Sequence, residues 1–319
     1  MKFIHLTILE RAWRIIPILG ILLLVILISG CSASPTGTTL STQILASVVD
    51  IPTSEPTATQ PPEPTATATS VPTATNTPGP TATFTPTPLP AMISDEKGAE
   101  MILIPAGPFV MGSNDNQAAA KPAHTVTLGD YYIDKYEVTN EQFLACVEAG
   151  VCSGGSRRLY NSTWVGHPVM DVTWFQAQQF CEWRGGSLPT EAQWEKAARG
   201  TDERIFPWGN DPVTCERARY GACGWFTVPV GQHPTGVSPF GVHDMAGNVW
   251  EWTKDWYKSD YFTVSPAENP TGPETDTGYK STRGGAWFYQ AGLMTSIWRN
   301  HAPPTAAYSY LGFRCIRNP

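Results

Sequence analysis

Proline and threonine decide what the first part of this chain cannot become. From about Ser32 to Pro90 the sequence is dominated by these two residues, as in PTATATSVPTATNTPGPTATFTPTPLP. Large apolar side chains are scarce there, so no core can offset the entropy of ordering the backbone. Proline biases such a segment toward extended polyproline II, a semi-rigid spacer, and Thr-Pro tracts suit O-glycosylation. Folding is thereby confined to Ala91–Pro319, roughly 229 residues, which is ample for one large domain.

The opposite end of the spacer reads as an export signal. Lys2, Arg11 and Arg14 precede the apolar run Ile15–Ile28, which is short for a membrane span and suits a signal h-region. The run ends Ile28-Ser29-Gly30-Cys31, which resembles a bacterial lipobox, with Cys31 as the lipidated residue. The competing reading is an uncleaved anchor helix with an incidental cysteine. Both place the remainder outside the cytoplasm. The expected organisation is a lipoprotein signal peptide over 1–30, a tether over 31–90 and a folded domain over 91–319, anchored to the cell membrane by lipid.

Within the domain, three segments carry the same helix-start signal. Thr139-Asn-Glu-Gln142, Thr173-Trp-Phe-Gln176 and Thr190-Glu-Ala-Gln193 each set Thr three residues before Gln, a capping box in which both side chains satisfy free backbone N–H groups. Gly150, Gly185 and Gly200 are the expected stops, at the C′ position. Strands are expected at Met101–Ile104, Thr125–Leu128, Tyr131–Asp134 and Phe313–Arg317. Gly and Pro recur throughout, so the class expected is a loop-rich α+β domain with little regular structure. The net charge of −7 argues against a nucleic-acid partner, and none is expected.

Six cysteines remain besides Cys31, and six allow fifteen pairings. Cys146 and Cys152 flank the end of a predicted helix and its glycine turn. Cys215 and Cys223 bracket a short loop. That leaves Cys181 with Cys315. No spacing suits a CxxC redox pair or a zinc site.

Several ordered motifs resemble the sulfatase-modifying-factor family, that of the formylglycine-generating enzyme. They are MILIPAGPFVMGS from Met101, EVTNEQF from Glu137, SLPTEAQWEKAARG from Ser187, FPWGN from Phe206, GVHDMAGNVWEW from Gly241, RGGAW from Arg283 and LGFRC from Leu311. The resemblance implies that family's fold, related to the C-type-lectin fold, and agrees with pairing Cys181 to Cys315. Closing so long a loop stabilises a fold by roughly 4–5 kcal/mol in the chain-entropy treatment.

The same resemblance implies chemistry that this chain does not carry intact. The enzyme oxidises a substrate cysteine with copper held by two cysteines between the last two motifs, and copper(I) prefers thiolates. The segment here, AWFYQAGLMTSIWRNHAPPTAAYSY, has none; the two positions fall near Met294 and Arg299. Copper is therefore not expected. Iron-dependent sulfur-transfer relatives use histidines from an additional N-terminal domain, where this chain has the tether. The family's calcium site is implied at Asp244, Gly247, Val249 and Glu251, one structural ion on hard oxygen ligands; the plainer reading has Asp244 capping a turn and Glu251 pairing with an arginine. A second calcium site is implied to be lost, since Arg219 stands where the family has Asn.

Phe288, Tyr289, Trp298, Tyr308 and Tyr310 replace residues that are asparagine in many relatives. Tyr and Trp give stiff contact area with a polar tip, suited to a ligand-binding surface; the plainer reading is that some of them, Trp298 above all, fill the core. Such replacements are also what adenine-directed diversification would produce. Two functions follow. One is a tethered, non-catalytic module that binds an extracellular protein, peptide or glycan. The alternative is a sulfatase-maturing oxidoreductase or a related enzyme with an altered active site.

Overall fold

The computed structural model describes residues 88–115, 118–155 and 157–319. The signal peptide, Cys31 and nearly all of the tether lie outside the described residues. Among the described residues no helix is long and apolar enough to cross a membrane.

The described residues form ten short strands, β1 (Met92–Ser94), β2 (Glu100–Ile104), β3 (Gly107–Met111), β4 (His124–Leu128), β5 (Tyr131–Asp134), β6 (Trp250–Trp256), β7 (Lys280–Arg283), β8 (Asn300–Ala302), β9 (Leu311–Gly312) and β10 (Ile316–Arg317). Three α-helices, α1 (Asn140–Glu148), α2 (Trp174–Trp183) and α3 (Glu191–Arg199), lie between β5 and β6. The strands make a sheet of order β1-β2-β5-β10, a second of order β8-β7-β6-β9 and the β3-β4 hairpin. Long loops with isolated 3-10 turns connect them, so the domain is loop-rich α+β.

Each helix starts as its capping box dictates. At α1, Gln142 N–H donates to Thr139 Oγ1 at 3.3 Å and Thr139 N–H donates to Gln142 Oε1 at 2.9 Å. The same reciprocal pair opens α2 at Thr173 and α3 at Thr190. Gly150 and Gly185 occupy the C′ positions with φ of 72° and 79°. Gly200 differs from expectation: it is itself the C-cap, at φ 74° and ψ −148°, a conformation that glycine adopts freely.

The expected strand Phe313–Arg317 is interrupted. β9 pairs parallel with β6, whereas β10 pairs antiparallel with β5. Phe313–Cys315 is the crossing between the two sheets. Phe313 packs edge-on against Phe143 and Phe180, and Cys315 is bonded to Cys181 of α2 at 2.00 Å. The other disulfides are Cys146–Cys152 and Cys215–Cys223.

Helix α3 is buried along its whole length except Gln193, although four of its nine residues carry charge. Burial of charge is tolerable only where it is paired and hydrogen-bonded. Arg283 of β7 donates to Glu191 at 3.1 Å and Glu195 at 2.6 Å, and Arg299 forks onto Glu191 at 2.7 and 2.9 Å. Lys196 donates to the carbonyls of Pro105 and Gly107. On the other side Arg184, just after α2, joins Asp134 of β5 to Asp95. These pairs tie helices to sheets beneath the loops that carry the candidate site.

Candidate functional site

The segment from Asp244 to Glu251 enters β6 through a backbone that turns sharply. Asp244, Gly247 and Asn248 have φ of 57°, 85° and 58°. Asp244 is buried, and its Oδ2 accepts the Gly231 N–H at 2.6 Å. Burial raises its pKa, as does the nearby Glu251. Glu251 has the arginine partner of the plainer reading: Arg314 Nε and Nη2 donate to its two oxygens at 2.7 Å each, and Trp194 Nε1 donates at 2.8 Å. Oε1 receives only one of these bonds and keeps a lone pair. Among the described hydrogen bonds, none ends on the carbonyl of Gly247 or Val249.

A further carboxylate, not singled out in the sequence, lies beside this loop. Glu137 is buried and accepts from Asn248 Nδ2 at 2.6 Å and from Val249 N–H at 3.2 Å. Burial raises its pKa well above the usual range, and the charges of Asp244 and Glu251 raise it further. Three buried carboxylates thus share Arg314 as a buried cation. Hard oxygen donors, two uncommitted carbonyls and an excess of buried negative charge fit a calcium ion. No three His, Cys, Asp or Glu side chains converge as a metal-binding group among the described residues, so the donor set would rest on the carbonyls as well as on Asp244 and Glu251.

The two positions expected near the copper cysteines separate. Met294 is buried with Ala218 and Ala246. Arg299 is buried elsewhere, clamped to Glu191 and stacked over Phe262 at 4.1 Å. Its guanidinium is a structural tie. All six cysteines of the domain are in disulfides.

The aromatic residues come together. Phe288 lies 4.3 Å from Tyr289 and 5.1 Å from Tyr310 between ring centroids. Tyr289 and Tyr310 are 5.8 Å apart, and Tyr308 stacks on Tyr310 at 5.1 Å and 11°. Phe288 and Tyr308 are 42% and 39% exposed. Burial, then the Tyr289 hydroxyl, pushes the Tyr310 phenol up to about 12, so it stays a neutral hydrogen-bond donor. Tyr289 rests edge-on upon buried Trp250 at 5.7 Å, which fixes the base of the cluster. Trp298 stands apart: it is half-buried against the core and shares no ring pairing with the other four.

The surface continues through residues that the sequence pattern did not reveal. Trp287 meets Phe288 at 4.8 Å and Phe226 at 5.9 Å, and Phe226 meets Trp164 at 6.1 Å. Trp225 and Phe226 are 82% and 54% exposed. These rings come from three loops far apart in sequence, so no local periodicity could join them.

Comparison with known proteins gives this architecture relatives. The sulfatase-modifying factor enzyme 1-like domain profile matches residues 88–319. The formylglycine-generating enzyme of Thermomonospora curvata is 32% identical over 298 residues, covering 72% of this chain and 97% of that enzyme. The serine/threonine-protein kinase pkn1 of Chlamydia pneumoniae is 35% identical over 242 residues, 69% of this chain, but the match spans only 38% of the kinase. Among solved structures, PvdO from Pseudomonas aeruginosa superposes with a TM-score of 0.65 at 27% identity, covering 73% of this chain and all of PvdO. Treponema denticola variable protein 1 gives 0.62 at 25% identity, over 72% of this chain and 100% of its own.

Proposed function

The chain belongs to the sulfatase-modifying factor enzyme 1-like domain family, and from that premise we propose that it is a non-catalytic recognition module. The observation that carries this reading is the contiguous ring cluster of Phe288, Tyr289, Tyr308 and Tyr310. Stiff aromatic rings with polar tips bind at low entropic cost. The ligand is an extracellular protein, peptide or glycan. The lipid on Cys31 and the Pro/Thr-rich spacer hold the module away from the membrane. One calcium, on the Asp244–Glu251 segment, is structural.

A copper oxidase needs two free thiolates, and Cys146, Cys152, Cys181, Cys215, Cys223 and Cys315 are all engaged. The second reading, a sulfatase-maturing oxidoreductase with an altered site, is favoured by the likeness to the Thermomonospora enzyme over 97% of its length. The test is binding of the full chain to arrays of glycans and peptides, followed by Tyr308→Ala and Tyr289→Ala. Loss of a central aromatic contact costs upwards of about 2 kcal/mol of binding, roughly 30-fold in affinity. Variants that fold and bind as tightly as the wild type would refute the assignment of this surface.

A further inference from the structure

Arg219 is a cation that pairs with no carboxylate among the described residues. Its guanidinium turns back into its own loop: Nε donates to the Phe226 carbonyl at 2.6 Å, and Nη1 donates to the Cys223 carbonyl. It lies against Gly224, where an added Cβ would stand 2.7 Å from Nη2 and 2.9 Å from Nη1. Gly224 also has φ 129°, so a side chain is disfavoured there twice over. Main-chain carbonyls converging on one positive centre in a Gly-bearing turn is how proteins commonly hold a hard cation. Here the centre is covalently part of the chain.

The loop is tied down at further points. Cys223 is bonded to Cys215. Gly221 N–H donates to the Tyr289 carbonyl at 2.8 Å, and the Arg219 carbonyl accepts from Asn248 N–H at 2.8 Å. Val228 N–H donates to Asn248 Oδ1 at 3.0 Å. Arg219 thus sits between the Asp244–Glu251 segment and the aromatic cluster. Phe226, whose carbonyl it holds, is the ring that joins Trp287 to Trp164.

We propose that Arg219 acts as an internal cation that replaces a metal ion in the 219–226 loop and fixes Trp225 and Phe226 as part of the aromatic surface. The family resemblance places a second calcium at this position, and arginine does not fit it, having no oxygen to give and carrying its own charge. The guanidinium instead gives the carbonyls a positive partner with directional donors. The loop then keeps its shape irrespective of calcium, so the Trp225–Phe226 end of the surface is metal-independent. The recognition role of these two residues rests on the proposed function above; the loop's dependence on Arg219 does not.

Hydrogen exchange of the full chain tests this, read at the amides of 221–228 with calcium and with chelator. With Asp244→Asn emptying the neighbouring Asp244–Glu251 segment of calcium, the Arg219 loop should exchange at the same rate in both. Arg219→Ala should speed exchange there about tenfold, the order expected when charge-assisted hydrogen bonds are removed, while α1, α2 and α3 keep their protection. Methylguanidinium added to that variant should slow the loop again. Should Arg219→Ala fail to fold, Arg219→Gln, which removes the charge but keeps an N–H donor, should show the same acceleration. Wild-type exchange in the Arg219 variants, or calcium slowing the loop in the Asp244→Asn background, overturns the inference and leaves the recognition reading standing. A protected loop in a protein that captures no ligand on glycan or peptide arrays supports Arg219 as the clamp and counts against recognition alone.

Discussion

Removing the Cys181–Cys315 disulfide should cost this domain more than removing either of the others, by a margin set by loop length. The three bridges span separations of 134, 8 and 6 residues. Restriction of the unfolded chain then gives about 5 kcal/mol for the first and about 2 kcal/mol for each of the other two. Cys181 and Cys315 are buried in the main core, but so are Cys146 and Cys152, so the loss of packed sulfur is common to both pairs and loop length sets the difference. For a domain of this size each kcal/mol shifts Tm by about 2–4 °C. Cys181→Ala with Cys315→Ala should therefore lower Tm by roughly 10–20 °C, and Cys146→Ala with Cys152→Ala by less than half that. Calorimetry of the unreduced full chain and of the two double variants measures both. Equal losses, or a larger loss from the short bridge, would refute the argument from the unfolded state. The native backbone around Cys315 has a separate anchor, its N–H donating to Asp134 Oδ2 at 2.8 Å, so the variant should retain the sheet crossing.

Three further outcomes follow from named groups. Asp255 is buried and its pKa is pushed up to about 7 by burial first and by Glu191 second; a carboxyl that holds its proton more tightly when folded loses its contribution as pH rises from about 4 to about 7, by at most about 4 kcal/mol, so Asp255→Asn should flatten that fall in urea midpoints between pH 5 and pH 8. Chelation should lower Tm if calcium occupies the Asp244–Glu251 segment; Asp244→Asn should abolish the response, and is cleaner than Glu251→Ala, which also strips Arg314 of its carboxylate and costs about 3–5 kcal/mol by itself. Cys31→Ala should release the protein from membranes or block its processing, read by fractionation and migration of the mutant against the wild type.

Local signals carried the helices and the short disulfides into the sequence reading, because both are written within a few residues. Thr139, Thr173 and Thr190 announce their helices by chemistry that needs only the next turn. The break between β9 and β10 was illegible for the opposite reason: Phe313–Arg317 has the composition of one strand, but its two ends answer to partners in different sheets. Glu137 was invisible as a neighbour of Asp244 because 107 residues separate them, and only the fold brings Glu137 onto Asn248. The expected cluster of Phe288, Tyr289, Tyr308 and Tyr310 lies on one loop system and assembles, whereas its extension through Phe226 and Trp164 depends on tertiary contact. Arg219 was legible as a residue that calcium cannot use, but its hold on the Phe226 carbonyl was not.

Whether this scaffold recognises or oxidises turns on thiols. The full chain, purified without reductant, loaded with copper and incubated in air with a sulfatase-type peptide containing its cysteine, can be followed by mass spectrometry for conversion of that cysteine to the aldehyde. With all six cysteines of the domain bonded to one another and Met294 and Arg299 buried in separate surroundings, the account predicts no aldehyde above the copper-only background. Copper-dependent aldehyde formation by the wild-type protein would contradict it and establish the oxidoreductase reading instead.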